Sequence, residues 1–503
     1  MEKNTGRPFP CFLVLLFFLL VSVNVTAQGK TPAFINGDFA DPSVIRAGDS
    51  YYAVGTSSEW APHFPIYHSA NLTDWTLSGY VFDRTPEWIS GSFWAPEFYY
   101  HNKKYYVYYT ARRKSDGISC IGVATSDYPD HGFTDHGVIV DYGKEAIDAF
   151  IYNDNGQLYI SFKAFGLDNR PIELLGSRLS PDGLKMQGEV FSMLKDTARR
   201  GMEGQSIIKK DNWYYLFYSS GDCCGNGCSY DVRVTRSRDY QGPYEYLSTN
   251  PVLQTYGDWK CPGHGTFVTN PQGNTSYIYH AYNRQTNVFT GREGLIADLK
   301  WDRVTGWPML YPRAVTKPKP LDFSDDFKTA SSAWQWDFRH AAPVVSRKNG
   351  QLTVSGTVTP DNLTGIALTV RPVSTDFEMT TTVLNHNEAL KGLVFYGDAG
   401  AAVGIGVQGS MVRFWSVRDT VRTIIAEVKI DPLKPVKLRL KMKSDLSCEV
   451  YYSQGTGEWL FPVVNKTAVG FLPQWDRSPR PGLHVKAANG EQAVFGQFQI
   501  INK

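Results

Sequence analysis

The sequence has 503 residues, which is too long for one ordinary hydrophobic core and predicts two or three domains. Its composition is 42% hydrophobic and 20% charged, with 14% aromatic residues, and this excludes a disordered chain. The formal net charge of +2 gives no long-range field for nucleic acid or an anionic membrane surface. We therefore expect a neutral partner, and a polysaccharide fits that description.

The N-terminus has the features of a secretory signal. Lys3 and Arg7 precede an apolar run of about 13 residues, and the small residues of "VTA" before Gln28 suit cleavage. A membrane-spanning helix needs about 20 apolar residues, so we predict a signal peptide over residues 1–27 and no membrane span. The mature chain is then exported, to the periplasm or the medium, where its six remaining cysteines can form disulfides.

The body of the chain, from about residue 34 to 317, repeats one pattern five times. Each repeat has an apolar strand, a turn of Gly, Asn or Asp, and a strand that is usually rich in Tyr. The five hairpins read SVIRAGDSYYAVGTSS, EFYYHNKKYYVYYTARR, AFIYNDNGQLYISFKAF, SIIKKDNWYYLFYSSGD and GTFVTNPQGNTSYIYHAYN. Repeats of about 40 to 50 residues with several strands each are typical of propeller blades. We predict an all-β fold with a five-bladed β-propeller over residues 28–320.

One residue just before each hairpin marks the register of the repeat. These positions are Asp41, Trp94, Asp148, Glu203 and His264, separated by 53, 54, 55 and 61 residues. The innermost strand of every blade lines the propeller axis, so equivalent positions converge on one pit. The repeat therefore predicts that the acids among them, Asp41, Asp148 and Glu203, surround one cavity.

Five motifs, in this order, resemble the blade openings of family 43 of the glycoside hydrolases. They are ADPSVI, FWAPEFYY, EAIDAFIY, GMEGQSIIKKDNWYYLFYS and CPGHGTFV. Members of that family are five-bladed propellers that remove arabinofuranose or xylose from plant polysaccharides. The resemblance covers about residues 34–317 and implies a glycosidase whose substrate is a plant polysaccharide or oligosaccharide.

The resemblance also implies a role for each landmark residue. Asp41 matches the general base, Glu203 the general acid, and Asp148 the acid that orients Glu203 and tunes its pKa. Arg292 matches a sugar-contacting arginine. His264 matches an axial histidine that, in many members, stands beside a bound water or a structural Ca²⁺. No cofactor is required for the chemistry.

Glycoside hydrolysis needs such a pair of acids independently of the resemblance. With inversion, one carboxylic acid protonates the leaving oxygen and one carboxylate activates water, about 6.5 to 9.5 Å away. A free glutamate has a pKa near 4.3, so the pKa of Glu203 must rise by about 2 for the group to stay protonated near pH 6 to 7. We expect the neighbouring Asp148 and partial burial to raise it.

Three aromatic residues are candidates for stacking on a sugar ring. Trp94 opens a blade at the axis, Trp60 lies in the loop SSEWAPHFP after the first hairpin, and Phe165 lies in the loop after the third blade's hairpin. Sugar rings pack well on aromatic faces, so we predict these three as substrate-binding residues together with His264 and Arg292. Trp60 is expected at the rim of the pit, where it would help leave room for one terminal sugar.

The cysteine cluster SGDCCGNGC is compatible with three arrangements. Cys223 and Cys224 could form a vicinal disulfide, one of them could pair with Cys228 or Cys261, or the group could bind zinc with His264. Zinc is the least favoured in an exported hydrolase. A similar double cysteine occurs in arabinan-cleaving members of the family, which favours arabinose as the released sugar.

The pattern changes after a Pro-rich stretch that ends near residue 320. Alternating strands such as GQLTVSG, FEMTTTVL and VKLRLKMKS predict a β-sandwich over residues 321–503, which resembles the concanavalin-like domain of some family 43 enzymes. This domain could bind glycan, but we expect it to buttress the propeller and to lend one loop to the pocket. Trp334 and Trp336 could contact glycan or belong to the core.

These features predict an exported, inverting glycoside hydrolase, an exo-acting α-L-arabinofuranosidase that releases arabinose from plant polysaccharide side chains. A β-xylosidase and an endo-arabinanase are the alternatives on the same scaffold. A non-catalytic glycan-binding propeller is the alternative of another class. A binding protein has no reason to keep an acid and a base facing each other, which argues against it.

Overall fold

The computed structural model describes residues 1–2, 34–165, 170–314, 322–455, 457–488 and 490–503. The signal peptide expected over residues 1–27 lies outside the described residues, apart from the first two. Within the described segments the elements are β-strands, with a single 3-10 turn over Asn287–Phe289. No helix in these segments has the length and apolar character that crossing a bilayer requires.

Twenty-one strands precede residue 313. In chain order they are β1 (Ser43–Ala47), β2 (Ser50–Val54), β3 (Trp60–Ala61), β4 (His63–Ser69), β5 (Thr76–Phe82), β6 (Ile89–His101), β7 (Lys104–Arg113), β8 (Ser119–Ser126), β9 (Thr134–Val140), β10 (Glu145–Asp154), β11 (Gln157–Phe165), β12 (Ile172–Arg178), β13 (Phe191–Asp196), β14 (Met202–Lys210), β15 (Trp213–Ser220), β16 (Asp231–Ser237), β17 (Glu245–Tyr246), β18 (Trp259–Thr269), β19 (Thr275–Asn283), β20 (Arg292–Trp301) and β21 (Pro308–Pro312).

These strands form five four-stranded antiparallel blades, which confirms the propeller. The blades are β1-β2-β4-β5, β6-β7-β8-β9, β10-β11-β12-β13, β14-β15-β16-β17 and β18-β19-β20-β21, and one parallel pairing of Glu145 with Ser119 joins the second blade to the third. Tight two-residue turns with positive φ connect the inner hairpins at Asn102–Lys103, Asn155–Gly156 and Asp211–Asn212. Asn, Asp and Gly favour such turns, which explains the hairpin signal in the sequence.

One residue at the opening of each blade has the left-handed backbone conformation. These residues are Asp41, Ala95, Asp148, Gly204 and His264, with φ between 37° and 59°. In β6, β10, β14 and β18 the pairing with the next strand shifts register across this residue. Such a bulge re-aims the chain locally. Glu203 and Trp94 come one residue before this position, so the predicted register is offset by one in two blades.

Hydrogen bonds at the axis connect neighbouring blades. The backbone N–H of a left-handed residue donates to a side chain on or just after the second strand of the preceding blade, in the pairs Ala95 to Thr56 (2.8 Å), Asp148 to Thr110 (3.1 Å), His264 to Ser219 (2.8 Å) and Asp41 to His280 (3.0 Å). The last pair joins blade 1 to blade 5. An antiparallel bridge between Ile35 and Gly294 of β20 also closes the ring.

The described chain after residue 321 forms two further sheets. Their strands are β22 (Phe323–Asp325), β23 (Trp336–Asp337), β24 (Ala341–Lys348), β25 (Gln351–Val358), β26 (Ile366–Thr369), β27 (Phe377–Val383), β28 (Leu390–Asp398), β29 (Ala401–Gln408), β30 (Met411–Arg418), β31 (Val421–Lys429), β32 (Val436–Met442), β33 (Ser447–Ser453), β34 (Lys466–Ala468), β35 (Arg480–Lys486) and β36 (Ala493–Asn502), of which β23 pairs outside them.

The two sheets form the predicted β-sandwich. One contains β24-β25-β36-β27-β32-β33-β34 with β22 paired to β36, and the other contains β26-β35-β28-β29-β30-β31. Alternate residues of both face one buried core, such as Phe377 and Met379 in β27 and Leu393 and Phe395 in β28. The expected domain boundary near residue 320 falls in residues 315–321, which lie outside the described part of the chain.

The propeller and the sandwich share both core and sheet. Tyr282, Val288 and Phe289 of the propeller belong to the same hydrophobic cluster as the sandwich core. In addition, β23 of the sandwich pairs with β3, which lies between the second and third strands of blade 1. Trp334 is buried in the sandwich core and its indole N–H donates to Asp325, so the core interpretation of this residue is correct. The sandwich therefore supports the propeller structurally.

Candidate active site

A cavity of about 400 Å³ lies at the axis, where the innermost strands of the blades begin. Six of the predicted site residues line it together: Asp41, Trp94, Asp148, Glu203, His264 and Arg292. The volume is within the range of small-molecule sites. Carboxylates from three different blades thus meet in one cavity, as expected from the repeat.

Two glycines allow this close approach. Gly204 has φ +59°, and a Cβ on it would lie 2.8 Å from Cγ of His264. Gly263 packs against the ring of Tyr230, where a Cβ would lie 2.1 Å from Cδ1. A side chain at either position would push His264 or Tyr230 out of place, so the glycines of MEGQS and PGHG are steric requirements.

Asp41 is a buried carboxylate that contacts the Arg292 guanidinium and two imidazole rings. Its Oδ2 accepts a 2.6 Å hydrogen bond from Thr56, and its Oδ1 lies 3.2 Å from Nη1 of Arg292. Nδ1 of His280 and Nδ1 of His264 lie 3.2 Å and 3.5 Å from the same Oδ1. Burial alone would raise the pKa of Asp41, but Arg292 and the two histidines hold that pKa well below its usual range. Asp41 is therefore a carboxylate at any working pH.

Asp148 has the opposite protonation behaviour. Its Oδ2 accepts a 2.9 Å hydrogen bond from the backbone N–H of Gly204 and lies 3.6 Å from Nδ1 of His264. Burial raises the pKa of Asp148 to about 7, and the negative charge of Glu203 contributes in the same direction. Asp148 thus retains its proton in mildly acidic solution.

Glu203 forms an ion pair that its sequence context did not reveal. Its Oε2 accepts a 2.7 Å hydrogen bond from Nζ of Lys163, and its Oε1 accepts a 2.9 Å hydrogen bond from the hydroxyl of Tyr230. Burial would raise the pKa of Glu203, but Lys163 and Tyr230 together lower it below its usual value. The expected net rise in the pKa of Glu203 from Asp148 and partial burial is therefore wrong: burial acts in that direction, but Lys163 outweighs it. The two shifts are opposite, so a proton shared by this pair is favoured on Asp148.

Three further polar side chains complete this network, and none of them was predicted from the sequence. They are Lys163, Tyr230 and Glu145, whose Oε1 lies 3.8 Å from Nζ of Lys163. Lys163 interrupts the apolar strand ISFKAF, and a lone lysine in an inner hairpin is a signal that could have been used. Tyr230 resembles the many packing tyrosines, and nothing in the sequence distinguishes it.

The sandwich contributes one loop to the cavity, as expected. Trp475 and Asp476 line it, and Trp475 is 62% exposed. Nε1 of Trp94 donates to Oδ2 of Asp476 at 3.1 Å, and Nη2 of Arg292 donates to the carbonyl oxygen of Asp476 at 3.2 Å. The loop is therefore fixed to two residues of the propeller site, and the cavity wall contains residues from both domains.

Trp60 does not occupy the predicted rim position, and this prediction is corrected. Its side chain is 1% exposed, packs edge-on against Tyr396, and carries the Arg480 guanidinium 4.1 Å above its ring. The cause is the pairing of Trp60 with Asp337 of the sandwich, which covers the loop. Trp475 occupies a position at the cavity instead.

Phe165 lies at the end of β11 and is 44% exposed. It is paired with Glu145, which lines the cavity, but Phe165 is not itself a lining residue. Its contact with a sugar stays a prediction.

The four clustered cysteines form two disulfides, Cys223 with Cys224 and Cys228 with Cys261. The vicinal pair lines the cavity. Because all four sulfurs are in disulfides, they provide no thiolate for zinc, and the zinc arrangement is excluded.

The predicted Ca²⁺ near His264 can be compared with the donors present. Ca²⁺ takes about six to eight oxygen ligands. Among the described residues, no group of three or more His, Cys, Asp or Glu side chains is arranged to hold a metal ion. Nδ1 of His264 faces Asp41, whose Oδ1 already contacts Arg292. A structural Ca²⁺ near His264 stays a prediction.

Residues 31–308 match the profile of "Glycosyl hydrolases family 43", which is more than half of the chain. The extracellular exo-alpha-(1->5)-L-arabinofuranosidase ArbA of Cellvibrio japonicus is 29% identical over 307 residues, covering 54% of this chain and 86% of that protein. The extracellular endo-alpha-(1->5)-L-arabinanase 1 of Bacillus subtilis is 28% identical over 291 residues, covering 53% and 86%.

The similarity of fold extends over both domains. The crystal structure of xylan beta-1,4-xylosidase from Bacillus halodurans C-125 superposes with a TM-score of 0.81. The alignment covers 94% of this chain and 100% of that chain, at 20% sequence identity. The propeller with its C-terminal sandwich is thus a shared architecture.

Proposed function

The chain belongs to glycosyl hydrolases family 43 and is an inverting glycoside hydrolase, and on this premise we propose that it is an exported exo-acting α-L-arabinofuranosidase. Its proposed substrates are arabinose-decorated plant polysaccharides and oligosaccharides, from whose ends it releases single arabinofuranose residues. The observation that carries the proposal is that Trp475 and Asp476 of the sandwich line the same cavity as the three carboxylates.

Asp41 is the proposed general base. It stays ionised because Arg292 and two histidines stabilise its charge, so it can accept a proton from the attacking water. Arg292 fixes the orientation of the carboxylate and, from the cavity lining, is placed to contact a sugar hydroxyl. Because water attacks the anomeric carbon from the face opposite the leaving oxygen, the released sugar has the inverted configuration.

Glu203 is the proposed general acid and Asp148 its partner in protonation. The ion pair with Lys163 favours the ionised form of Glu203, so Glu203 must gain a proton before it can donate one. We propose that sugar hydroxyls compete for the Lys163 ammonium, which weakens the ion pair. The single proton of the Asp148 and Glu203 pair then resides on Glu203 and passes to the leaving oxygen.

The sandwich loop supports exo action. An endo-acting enzyme needs a cleft open at both ends, whereas here Asp476 binds Trp94 and Arg292 and brings Trp475 to the cavity edge. The indole face of the exposed Trp475 is suited to stacking on a terminal sugar ring.

Arabinose is supported by the two relatives, which are named as an arabinofuranosidase and an arabinanase. Both are also named as extracellular, which agrees with the secretory signal predicted from Lys3, Arg7 and the apolar run that follows. The vicinal Cys223 and Cys224 in the cavity wall agree with the resemblance to arabinan-cleaving enzymes.

The deciding experiment compares 4-nitrophenyl α-L-arabinofuranoside, β-D-xyloside and β-D-galactoside with linear arabinan. We expect the arabinofuranoside to be the best small substrate and arabinose to be the first product from arabinan. Early oligosaccharides without arabinose would identify an endo-arabinanase, and preference for the xyloside would identify a β-xylosidase. Export is tested separately, by locating the protein after expression of the full chain with and without residues 1–27.

A further inference from the structure

A second, smaller cavity of about 160 Å³ adjoins the first one. Gly201 lines both, Gly221 lines the first and Ser220 the second. A Cβ on Gly201 would lie 2.7 Å from the carbonyl oxygen of Gly221, so the ridge between the cavities is bare backbone. Only backbone therefore separates the two cavities at Gly201 and Gly221, so a substrate that fills the first cavity reaches the edge of the second.

The second cavity lies on the side from which a leaving saccharide departs. Gly201 on the ridge is two residues before Glu203, the proposed general acid. A general acid donates its proton to the leaving oxygen, so the part of the substrate that leaves must be next to Glu203. The sugar beyond the cleaved bond is therefore directed toward this ridge. This step rests on the proposed function.

Charged side chains line the second cavity. Lys195, Arg200 and Arg233 lie there with one carboxylate, Asp196, and Nζ of Lys195 also lies 3.8 Å from the buried carboxylate of Glu173. Oδ2 of Asp196 accepts a 2.9 Å hydrogen bond from the backbone N–H of Gly201, and Arg233 is paired to Asp231 behind it. Arg200 is exposed and forms no ion pair with any described residue, which leaves its charge available to a ligand.

The remaining lining is suited to a sugar ring. Tyr246 is 55% exposed at this cavity and offers an aromatic face, and the cavity also has hydroxyls from Tyr218 and Ser220. Arginine pairs with carboxylates through charge-assisted hydrogen bonds. The acidic group that a plant polysaccharide supplies next to its neutral sugars is the carboxylate of a uronic acid.

We propose that this second cavity is a binding site for the leaving part of the substrate and that it recognises a uronic acid residue through Arg200. The enzyme then prefers arabinose attached to an acidic backbone over arabinose attached to a neutral one. The preference comes from binding on the leaving-group side and leaves the chemistry at Asp41 and Glu203 unchanged.

The test uses arabinose-bearing oligosaccharides that contain uronic acid, and the same oligosaccharides with their carboxyl groups converted to methyl esters. We expect kcat/KM for arabinose release to be about fivefold higher for the acid form at low salt, the size of an exposed ion pair. The difference should disappear in Arg200→Gln and in high salt, and it should persist in Arg303→Gln, a matched exposed arginine elsewhere on the propeller. The wild type and Arg303→Gln should hydrolyse 4-nitrophenyl α-L-arabinofuranoside equally, and circular dichroism establishes that Arg200→Gln is folded.

Equal kcat/KM for acid and ester in the wild type, or an acid preference that survives in Arg200→Gln, would overturn the uronate site. Failure of the proposed function looks different, because the wild type would then not hydrolyse the arabinofuranoside. In that case calorimetry of the two oligosaccharide forms with Asp41→Asn still tests the site. Tighter binding of the acid form supports it, and equal binding refutes it.

Discussion

The indole N–H of Trp94 in the second blade donates a 3.1 Å hydrogen bond to the carboxylate of Asp476 in the sandwich, 382 positions later in the chain. Asp476 also pairs with Arg477 at 2.8 Å, and its carbonyl accepts from Arg292. One loop thereby fixes an aromatic wall and the arginine that contacts Asp41. The cavity exists in this form only when the two domains are docked.

Removal of the Asp476 carboxylate should therefore weaken substrate binding. In Asp476→Ala, Trp94 and Arg477 lose a buried partner, which costs about 1–3 kcal/mol for each group left unpaired. We expect a higher KM for 4-nitrophenyl α-L-arabinofuranoside and a lower melting temperature. Asp361→Ala, at an exposed sandwich position, is the control. An unchanged KM would show that the loop does not shape the sugar site.

The acid pair should be indispensable. Asp41→Asn and Glu203→Gln should each lower kcat on a natural arabinose-bearing polysaccharide by about 10²–10⁴-fold, because each removes one proton-transfer group. Asp49→Asn, in an exposed turn of the first blade, should retain full activity. Circular dichroism establishes that the variants are folded. Near-normal turnover by either site variant would refute its assigned role.

Lys163 should control the pH profile. The ammonium lowers the pKa of Glu203, so Lys163→Met raises that pKa. Activity requires the proton shared by Asp148 and Glu203 and is lost as pH rises through the pKa at which that proton leaves. Lys163 lowers the pKa of both carboxyl groups, so in Lys163→Met the alkaline limb of kcat/KM should move up by about 1–3 pH units. Lys163→Arg keeps the charge and should stay near the wild type.

The control for Lys163 is Lys209→Met, which removes a similar ion pair, with Asp154, at the far end of β14. Its pH profile should match the wild type. If the alkaline limb is the same in Lys163→Met and in the wild type, Lys163 does not determine the protonation of the acid.

The two disulfides should have different roles, one in the stability of the fold and the other in substrate binding. Cys228–Cys261 joins residues 33 positions apart, and its removal by a double serine substitution should lower the free energy of unfolding by about 2–4 kcal/mol. Cys223–Cys224 joins neighbours and constrains almost no chain, but it lines the cavity. The Cys223→Ser/Cys224→Ser variant should therefore change KM with little effect on the urea midpoint. A large drop in the urea midpoint with unchanged KM for this variant would contradict the assigned role.

The propeller should not be stable without the sandwich. A chain that ends at Ala314 would expose Tyr282, Val288 and Phe289, which belong to the common core. We expect this chain to aggregate or to melt well below the full protein, and to lose activity on small glycosides. A soluble fragment with full activity on small glycosides and weaker binding to polysaccharide would instead assign the sandwich as a glycan-binding module.

The features that could be predicted from the sequence are those that depend on residues close together in the chain or on the regular spacing of the repeats. Turn residues and Tyr-rich alternating strands identify each hairpin, and the spacing of Asp41, Asp148 and His264 identifies equivalent positions in the ring. Glu203 was found although it lies one residue before the equivalent position, because the residues GMEGQS carry the family resemblance. A bulge has no simple sequence signature, so the offset itself was not predictable.

The predictions that failed depend on contacts between distant segments. The pKa of Glu203 is governed by Lys163, 40 positions earlier in the neighbouring blade. Trp60 looks like an exposed loop tryptophan until the sandwich strand at Asp337 covers it. Hydrophobic periodicity describes which face of a strand is buried, but it does not describe which other domain docks there.

Tyr230 connects the docking of the two domains to the active site. Its ring belongs to the hydrophobic cluster that joins the two domains, and its hydroxyl donates to Glu203. If the contact between the two domains loosens, Tyr230 shifts and its hydrogen bond to Glu203 is lost, although the blades themselves are still folded. Turnover during gentle heating should consequently decay before the far-UV circular dichroism of the blades changes, so that loss of activity is the earliest sign of domain separation.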